Sequence, residues 1–218
     1  MTISVRQLNL LFSKLGRIDL PKDEWPEPNN RPLIYYVGAH PHTSLIFCTK
    51  FAGLLGINQK IFEGASIFDR HGLLEERYMP CIAQEAVRLK RSVKFLGDLD
   101  PLDLTSFLVL KTGMDPYKIK VNYCGIDDEW IRVCTEVLAK KRRGKPRAIP
   151  TISMTPFEVE HLRQLERLPI DWENIIGPLS LELLRKGRKL ELEGASNPAF
   201  YGSSLIKFIR NRIIRQLQ

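Results

Sequence analysis

The junction of an apolar stretch with two aspartates constrains the fold of this chain more than any other segment. Val93–Gly97 has the length of a strand and runs into Asp98 and Asp100, and Pro101 then opens an apolar periodic segment. Side chains two residues apart on an extended strand point to the same face. The pattern therefore predicts a strand that ends in two neighbouring carboxylates and leads into a helix.

Two carboxylates this close repel each other, and one of them stays protonated unless a cation lies between them. A hard divalent ion such as Mg²⁺ resolves the repulsion, because it takes oxygen ligands and commonly one or two carboxylates. The alternative is a loop of solvated acids, with Asp103 as the N-cap or a first-turn residue of the next helix. The spacing of Asp98 and Asp100 alone leaves both interpretations open.

Strands alternate with helices over most of the chain, which predicts an α/β fold with a mainly parallel, four-stranded sheet flanked by helices. The predicted strands are Leu33–Val37, expected to be fully buried, Lys60–Phe62, Ser92–Gly97 and Ile119–Tyr123. The predicted helices run from Thr43 or Ser44 to about Leu55, over 72–90 with a break at Pro80, over 102–112, and over Asp127–Lys140. Ligand sites in such sheets lie at the carboxyl ends of the strands, where this prediction places His40, Glu63 and Asp98.

We expect three parts: an N-terminal helix and proline-rich arm over 1–32, a core over 33–155, and a basic helical part over 156–218 that packs on the core and includes a helix over 172–186. The whole net charge of +8 lies in residues 140–218, which hold 16 Lys and Arg against 8 Asp and Glu. This asymmetry favours an anionic partner such as DNA, with a solvated basic surface as the alternative. The predicted nucleic-acid contacts are Lys140, Lys141, Arg142, Arg143, Lys145 and Arg147.

Composition and motifs exclude several classes of protein. No apolar run reaches the roughly 20 residues that span a bilayer, and the N-terminus lacks the pattern of a secretion signal. The four scattered cysteines form no Cys-x-x-Cys pair, which favours reduced thiols in a cytoplasmic protein. We interpret His71 and His161, which fall in helical segments, as surface or packing residues.

Several stretches, in their order and spacing, resemble the Toprim domain of topoisomerases, primases and related nucleases. The likeness is to the Toprim part of the topoisomerase VI A subunit and its meiotic double-strand-break relatives, and the Toprim nuclease subunit of Wadjet plasmid-defence systems is also similar. The stretches that carry the resemblance are Phe95–Pro101, Leu110–Gly113, Asn122–Trp130, Ile152–Thr155 and Gly187–Gly194.

The resemblance implies a Rossmann-like Toprim core and a site that cleaves phosphodiesters with Mg²⁺ or Mn²⁺. It implies Asp98, Asp100 and Glu63 as catalytic metal ligands, His40 as a further ligand, and Lys111 as an additional catalytic residue. The topoisomerase tyrosine of the family lies in an upstream domain. Because about 32 residues precede the first predicted strand, we expect no topoisomerase reaction from this chain alone.

The sequence departs from the family at one position. Toprim enzymes carry a glutamate at the end of the first strand, whereas the strand predicted to end at Val37 is followed by His40 and His42. The segment at Glu63 resembles the family's glutamate segment locally, but only 35 residues separate it from Asp98. That is too little for a helix, a strand and a second helix, so we place Glu63 at the tip of the second strand.

Two functions remain open at this point. The first is a DNA-associated, metal-dependent nuclease without a topoisomerase tyrosine. The second is a catalytically degenerate Toprim-like subunit that works with a protein partner, for example an ATPase. A small-molecule phosphoesterase or nucleotide-binding protein is a third class, but the chain has no Gly-x-Gly-x-x-Gly motif or P-loop to favour it.

Overall fold

The structure is a computed structural model, and it describes residues 33–37, 44–51, 53–54, 62, 64–70, 74–141, 149–195 and 203–214. The predicted α/β class is confirmed: a mainly parallel sheet is flanked by helices. The elements are β1 (Ile34–Val37), β2 (Ser44–Cys48), β3 (Ala65–Asp69), α1 (Met79–Leu89), β4 (Val93–Leu96), α2 (Pro101–Met114), β5 (Val121–Tyr123), α3 (Asp128–Lys141), β6 (Ile152–Ser153), α4 (Pro156–Glu166), α5 (Trp172–Ile176), α6 (Pro178–Arg185), β7 (Arg188–Lys189), α7 (Leu192–Ala195) and α8 (Ser203–Ile214).

The main sheet has five strands in the order β1-β3-β2-β4-β5, one more than the four predicted. Strands β2 to β5 are parallel, and β1 pairs antiparallel with β3 at the edge. The chain passes from β2 to β3 on one side and then crosses to β4 on the other side of β2. The strand order therefore reverses between β2 and β4, and ligands of open α/β sheets bind at the carboxyl ends beside such a point.

Helices cover both faces of this sheet. On β4, Phe95 packs against Phe107 of α2, with ring centroids 5.7 Å apart. The adjacent residue Lys94 is also buried and contacts the last turn of α8. Because successive side chains of a strand point to opposite faces, α2 and α8 lie on opposite sides of the sheet. Later in the chain, β6 and β7 form a small antiparallel sheet. Directly after β7, Leu190 forms an isolated β-bridge with Leu99 in the loop after β4.

Several predicted elements are confirmed with shifts of a few residues at their ends. Strand Ser92–Gly97 corresponds to β4, strand Ile119–Tyr123 to β5, and the helices predicted from 102 and Asp127 to α2 and α3. Pro101 and Pro156 lie in the first turns of α2 and α4, where a missing N–H costs no helical hydrogen bond.

The burial predicted for the first strand and the helix predicted after it are wrong. The strand expected to be fully buried is β1, an exposed edge strand in which Ile34 is 52 % and Val37 50 % exposed. The helix expected from Thr43 or Ser44 is the strand β2, and all five of its residues are buried. Its apolar side chains are consecutive because a parallel strand between two layers of helices is buried on both faces.

Two helix predictions need correction. Pro80 does not break a helix over 72–90, because α1 begins at Met79 and Pro80 lies in its first turn. The helix expected over 172–186 is divided into α5 and α6 at Gly177, which has a φ of +87°. That conformation favours glycine, so Gly177 explains why α5 and α6 are separate helices.

Some predicted features lie outside the described residues. They are the helix and arm over 1–32, the strand Lys60–Phe62 apart from the buried Phe62, the basic loop beyond Lys141, and His40, His42, Glu63 and His71. In the part of the chain that the structure describes, no helix has both the length and the apolar character needed to cross a membrane.

Candidate metal centre

Three carboxylates converge at the carboxyl end of β4. Asp98, Asp100 and Asp103 each offer an oxygen that lies within 4.8 Å of the others. Asp98 is 1 % exposed, Asp103 is buried and Asp100 is half-buried. The loop therefore concentrates negative charge in a poorly solvated place, next to the point where the strand order reverses.

The start of α2 holds these side chains in place. Asp100 is the N-cap of the helix, and its Oδ1 accepts the backbone N–H of Asp103 at 2.7 Å. Oδ2 of Asp103 accepts the backbone N–H of Asp98 at 2.6 Å and the hydroxyl of Thr49 at 2.6 Å. A Cβ at Gly97 would lie 2.6 Å from that same oxygen, so the Asp103 carboxylate can fold back against the loop only because residue 97 is glycine.

The C-terminal part of the chain closes the centre from another side. Leu99 and Leu190 exchange backbone hydrogen bonds of 2.9 and 3.2 Å. Two residues later, the backbone N–H of Leu192 donates to Oδ1 of Asp98 at 2.7 Å. The motif Gly187–Gly194 therefore meets the Asp98–Asp100 loop, although some ninety residues of chain separate them.

Two lysines flank the acidic centre. Nζ of Lys50 lies 3.3 Å from Oδ2 of Asp98 and 3.6 Å from Oε2 of Glu193. Nζ of Lys189 contacts Oε1 of Glu158 at 2.7 Å, on the side of Asp100. Two ammonium groups thus stand against five carboxyl groups, too few to neutralise the site if all five acids are ionised.

Burial and mutual repulsion shift the protonation of the acids. Burial, and then the charge of Asp100, raise the pKa of Asp98 to about 7 although Lys50 acts to lower it. Burial is also the largest cause that raises the pKa of Asp100. The pKa of Asp103 is raised well above its ordinary value by burial and by both neighbouring aspartates. The carboxylates therefore hold their negative charges at a cost that a bound cation would relieve.

The residues present fit a hard divalent cation. All three groups are carboxylates, and oxygen ligands are what Mg²⁺ and Mn²⁺ prefer. Each carboxylate oxygen has two lone pairs, so the hydrogen bonds to Asp98 and Asp100 leave both groups able to ligate. Asp98 and Asp100 would hold the ion, with Asp103 as a third ligand or as the support of Asp98.

The structure brings together only part of the predicted site. Asp98 and Asp100 are adjacent, as the i, i+2 spacing predicted. Lys111 is exposed near the other end of α2, with Nζ 5.9 Å from the ring centroid of Phe107. With a rise of 1.5 Å per residue it lies about 16 Å along the helix from Asp100, away from the carboxylates. His40 and Glu63 are not among the described residues.

His161 packs in the interior, in agreement with its interpretation from the sequence. It is fully buried, and its Nε2 lies 2.8 Å from the hydroxyl of Thr105. Thr105 donates to the carbonyl of Pro101 at 2.8 Å, so this pair supports the first turn of α2. Burial lowers the pKa of His161 to about 4, which keeps the ring neutral at physiological pH.

Three residues of the centre were not predicted as site residues from the sequence. Asp103 was expected as an N-cap or first-turn residue, and its position three residues after the cap Asp100 is the signal that places it in the cluster. Thr49 and Lys50 were hidden because the strand before them was predicted as a helix. A buried strand at Ser44–Cys48 would have placed both at a carboxyl end.

The same correction bears on the glutamate that the Toprim resemblance implies at the end of the first strand. The first parallel strand is β2, not β1, and Thr49 and Lys50 follow it. A lysine therefore occupies the region where the Toprim resemblance implies an acid. No protein-family model matches this chain, and no curated protein matches it.

Proposed function

We propose that this chain is a divalent-metal-dependent phosphodiesterase with a Toprim-like fold that acts on DNA. The convergence of Asp98, Asp100 and Asp103 at the carboxyl edge of the sheet is the observation that carries the proposal. Ligands of open α/β sheets bind at this edge of the sheet, and carboxylate oxygens are suitable ligands for Mg²⁺ or Mn²⁺. The reaction class comes from the Toprim resemblance.

The residues of the centre would have different roles in the reaction. When bound, a divalent ion polarises the phosphodiester and lowers the pKa of a water molecule. Asp98 and Asp100 would hold the ion. Asp103 fixes the backbone of Asp98, and the Leu192 N–H fixes its side chain, so the ligands are pre-organised before the ion arrives.

Cleavage of supercoiled plasmid with Mg²⁺ or Mn²⁺ tests the proposal. We expect nicking that Asp98→Asn and Asp100→Asn each abolish, because each variant removes a charged ligand but keeps the size of the side chain. Glu182→Gln is the matched control, since that carboxylate is exposed on α6 and pairs with Lys186. Absence of cleavage with either ion, or equal cleavage by the aspartate variants, would contradict the nuclease.

DNA binding itself has a separate test. The basic residues Lys140–Arg147 offer six positive charges to a duplex. If about five of them contact phosphates, the slope of log affinity against log salt is about −4.5. Replacing Lys140, Lys141 and Arg142 by glutamine should then reduce the slope by about 3. A slope that these replacements leave unchanged would assign DNA binding to another surface.

One observation favours the second function, a non-catalytic subunit that works with a partner. The residue after β2 that contacts Asp98 is Lys50, so a cation lies where the resemblance implies an acid. If the chain is such a subunit, its complex with the partner should survive Asp98→Ala and Asp100→Ala, and no divalent ion should bind. Calorimetric titration of the chain with Mn²⁺ separates the two functions without a nuclease assay.

A further inference from the structure

Lys50 stands at the point where the strand order reverses. It follows β2 by two residues, and Asp98 follows β4 by two residues, on strands paired with Cys48 opposite Leu96. The Lys50 ammonium lies 3.3 Å from the buried Asp98 carboxylate and 3.6 Å from Glu193. Its side chain is 21 % exposed, so part of this side chain meets solvent beside the buried Asp98 carboxylate.

Gly53 lies against the side chain of Glu193, the second acidic partner of Lys50. A Cβ at Gly53 would lie 2.3 Å from Oε1 of Glu193 and 2.7 Å from its Cγ. A Cβ at residue 53 would therefore displace the Glu193 side chain from its position beside Lys50. Glu193 also belongs to α7, whose first residue, Leu192, donates its N–H to Asp98. One segment therefore fixes both the carboxylate and the ammonium.

We propose that Lys50 binds an anionic phosphoryl oxygen of the substrate beside the acidic centre, and that Glu193 is a positioning residue that holds its ammonium there. An ammonium has three N–H donors, and in the described part of the chain two carboxylates pair with it. The third donor serves the phosphate. This inference rests on the proposed phosphodiesterase function.

Lys189 differs from Lys50 in a way that makes it the matched control. Its ammonium forms a closer ion pair, 2.7 Å from Glu158, and its side chain is less exposed than that of Lys50. It also lies beside Asp100 rather than beside Asp98. Lys189 therefore adds positive charge to the same centre without occupying the point where the strand order reverses.

Calorimetric titration of the full chain, first with Mn²⁺ and then with inorganic phosphate, tests the inference without relying on activity. Lys50→Met should bind Mn²⁺ about tenfold more tightly, because a cation that competes for Asp98 is gone. The same variant should bind phosphate about tenfold more weakly, because a charge-assisted hydrogen bond is lost. Lys50→Arg and Lys189→Met should each keep phosphate affinity within about threefold of the wild type.

Glu193→Gln and Gly53→Ala test the positioning role and do not depend on the folding of Lys50→Met. Both should weaken phosphate binding about threefold and leave the Mn²⁺ stoichiometry at one, since neither touches an aspartate of the centre. With bis(4-nitrophenyl) phosphate as substrate, both should raise KM more than they lower kcat.

The outcomes separate the inference from the proposed function. A wild-type chain that binds no Mn²⁺ overturns both. A chain that binds Mn²⁺ overturns the role of Lys50 alone if phosphate fails to bind, or if Lys50→Met binds it as tightly as the wild type. Unchanged phosphate affinity and KM in Glu193→Gln overturn the positioning role of Glu193.

Discussion

The Lys50 ammonium nitrogen lies 3.3 Å from Oδ2 of Asp98, and this ion pair joins the ends of two neighbouring parallel strands. Each residue stands two positions beyond the last pair of the β2–β4 ladder. The fold therefore places the Lys50 ammonium next to the Asp98 carboxylate at the carboxyl edge of the sheet, where ligands of open α/β sheets bind. Any divalent ion that enters the centre competes with Lys50 for Asp98.

The stability of the metal-free chain should depend on pH through Asp98. Burial and Asp100 raise its pKa from 3.8 to about 7, so between these values the folded state holds a proton that the unfolded state has lost. The penalty for ionised Asp98 is therefore full above pH 7 and disappears as the pH falls towards 4. Asp98→Asn carries no such penalty.

We therefore expect the stability gained by Asp98→Asn over the wild type to be larger at pH 8 than at pH 5, by an amount on the order of 2 kcal/mol. Urea unfolding in EDTA at both pH values measures it. Comparing the two proteins cancels the opposite contribution of His161, whose lowered pKa destabilises the fold in acid. A difference that stays constant or shrinks towards pH 8 would refute the prediction.

Thr49 should stabilise the centre through its hydroxyl. The side chain is buried, and Oγ1 donates to Oδ2 of Asp103 at 2.6 Å. Thr49→Val keeps the shape and removes the donor, so we expect the free energy of unfolding to fall by about 1 kcal/mol. Thr49→Ser keeps the donor and is the control. A loss in Thr49→Ser together with none in Thr49→Val would show that the methyl group, not the hydrogen bond, matters.

The sequence predicted the part of the fold whose signals are local. The strand before Asp98 and the helix after it follow from an apolar run, from Pro101 and from the apolar periodic segment that comes next, although the residue that caps the helix is Asp100. These signals lie within ten residues of one another, and the structure places β4 and α2 where they indicate. The i, i+2 spacing also predicted correctly that Asp98 and Asp100 lie together.

The sequence failed where burial on both faces removes periodicity. Ser44–Cys48 shows consecutive apolar residues, and such a run does not distinguish a buried strand from a helix. The misassigned strand hid Lys50 and left the end of β1 as the place for the glutamate that the Toprim resemblance implies. The contact of Leu192 with Asp98 and the contact of Glu193 with Lys50 were also not predictable. Each joins segments far apart in the chain, and in the second case about a hundred and forty residues separate them.

Asp128 should stabilise α6 from a distance. The N-cap of that helix is Gly177, which has no side chain, and the Asp128 carboxylate accepts the N–H groups of Leu179 and Ser180 at 3.1 and 2.7 Å instead. Asp128→Ala removes both acceptors, so we expect a loss of about 1 to 2 kcal/mol in the free energy of unfolding. Asp128→Asn keeps one oxygen and should lose less.

Thermal and urea unfolding measure the effect of these Asp128 variants. Glu136→Ala is the matched control, because Glu136 is an exposed acid on the same helix, α3. If Asp128→Ala is as stable as this control, the backbone of α6 does not need the remote cap.

Lys94 should hold the last helix on the sheet. It is 4 % exposed on β4, and its ammonium donates to the carbonyl of Ile213 and, at 3.4 Å, to that of Arg212. Ser44 at the start of β2 donates to the same Ile213 carbonyl at 2.7 Å. The last carbonyls of a helix have no partners within it, and a cation favours its negative end. Lys94 therefore satisfies α8 from within the sheet.

Lys94→Met keeps the apolar stem and removes both the donor and the charge. We expect backbone amides in the last turns of α8 to exchange with solvent at least about tenfold faster, because loss of a charged hydrogen bond costs about 1.5 to 3 kcal/mol. Amides of α2, on the opposite face, should change less. Lys207→Met is the control, since Lys207 is exposed on α8 itself. Equal exchange in the two variants would mean that Lys94 does not hold the helix on the sheet.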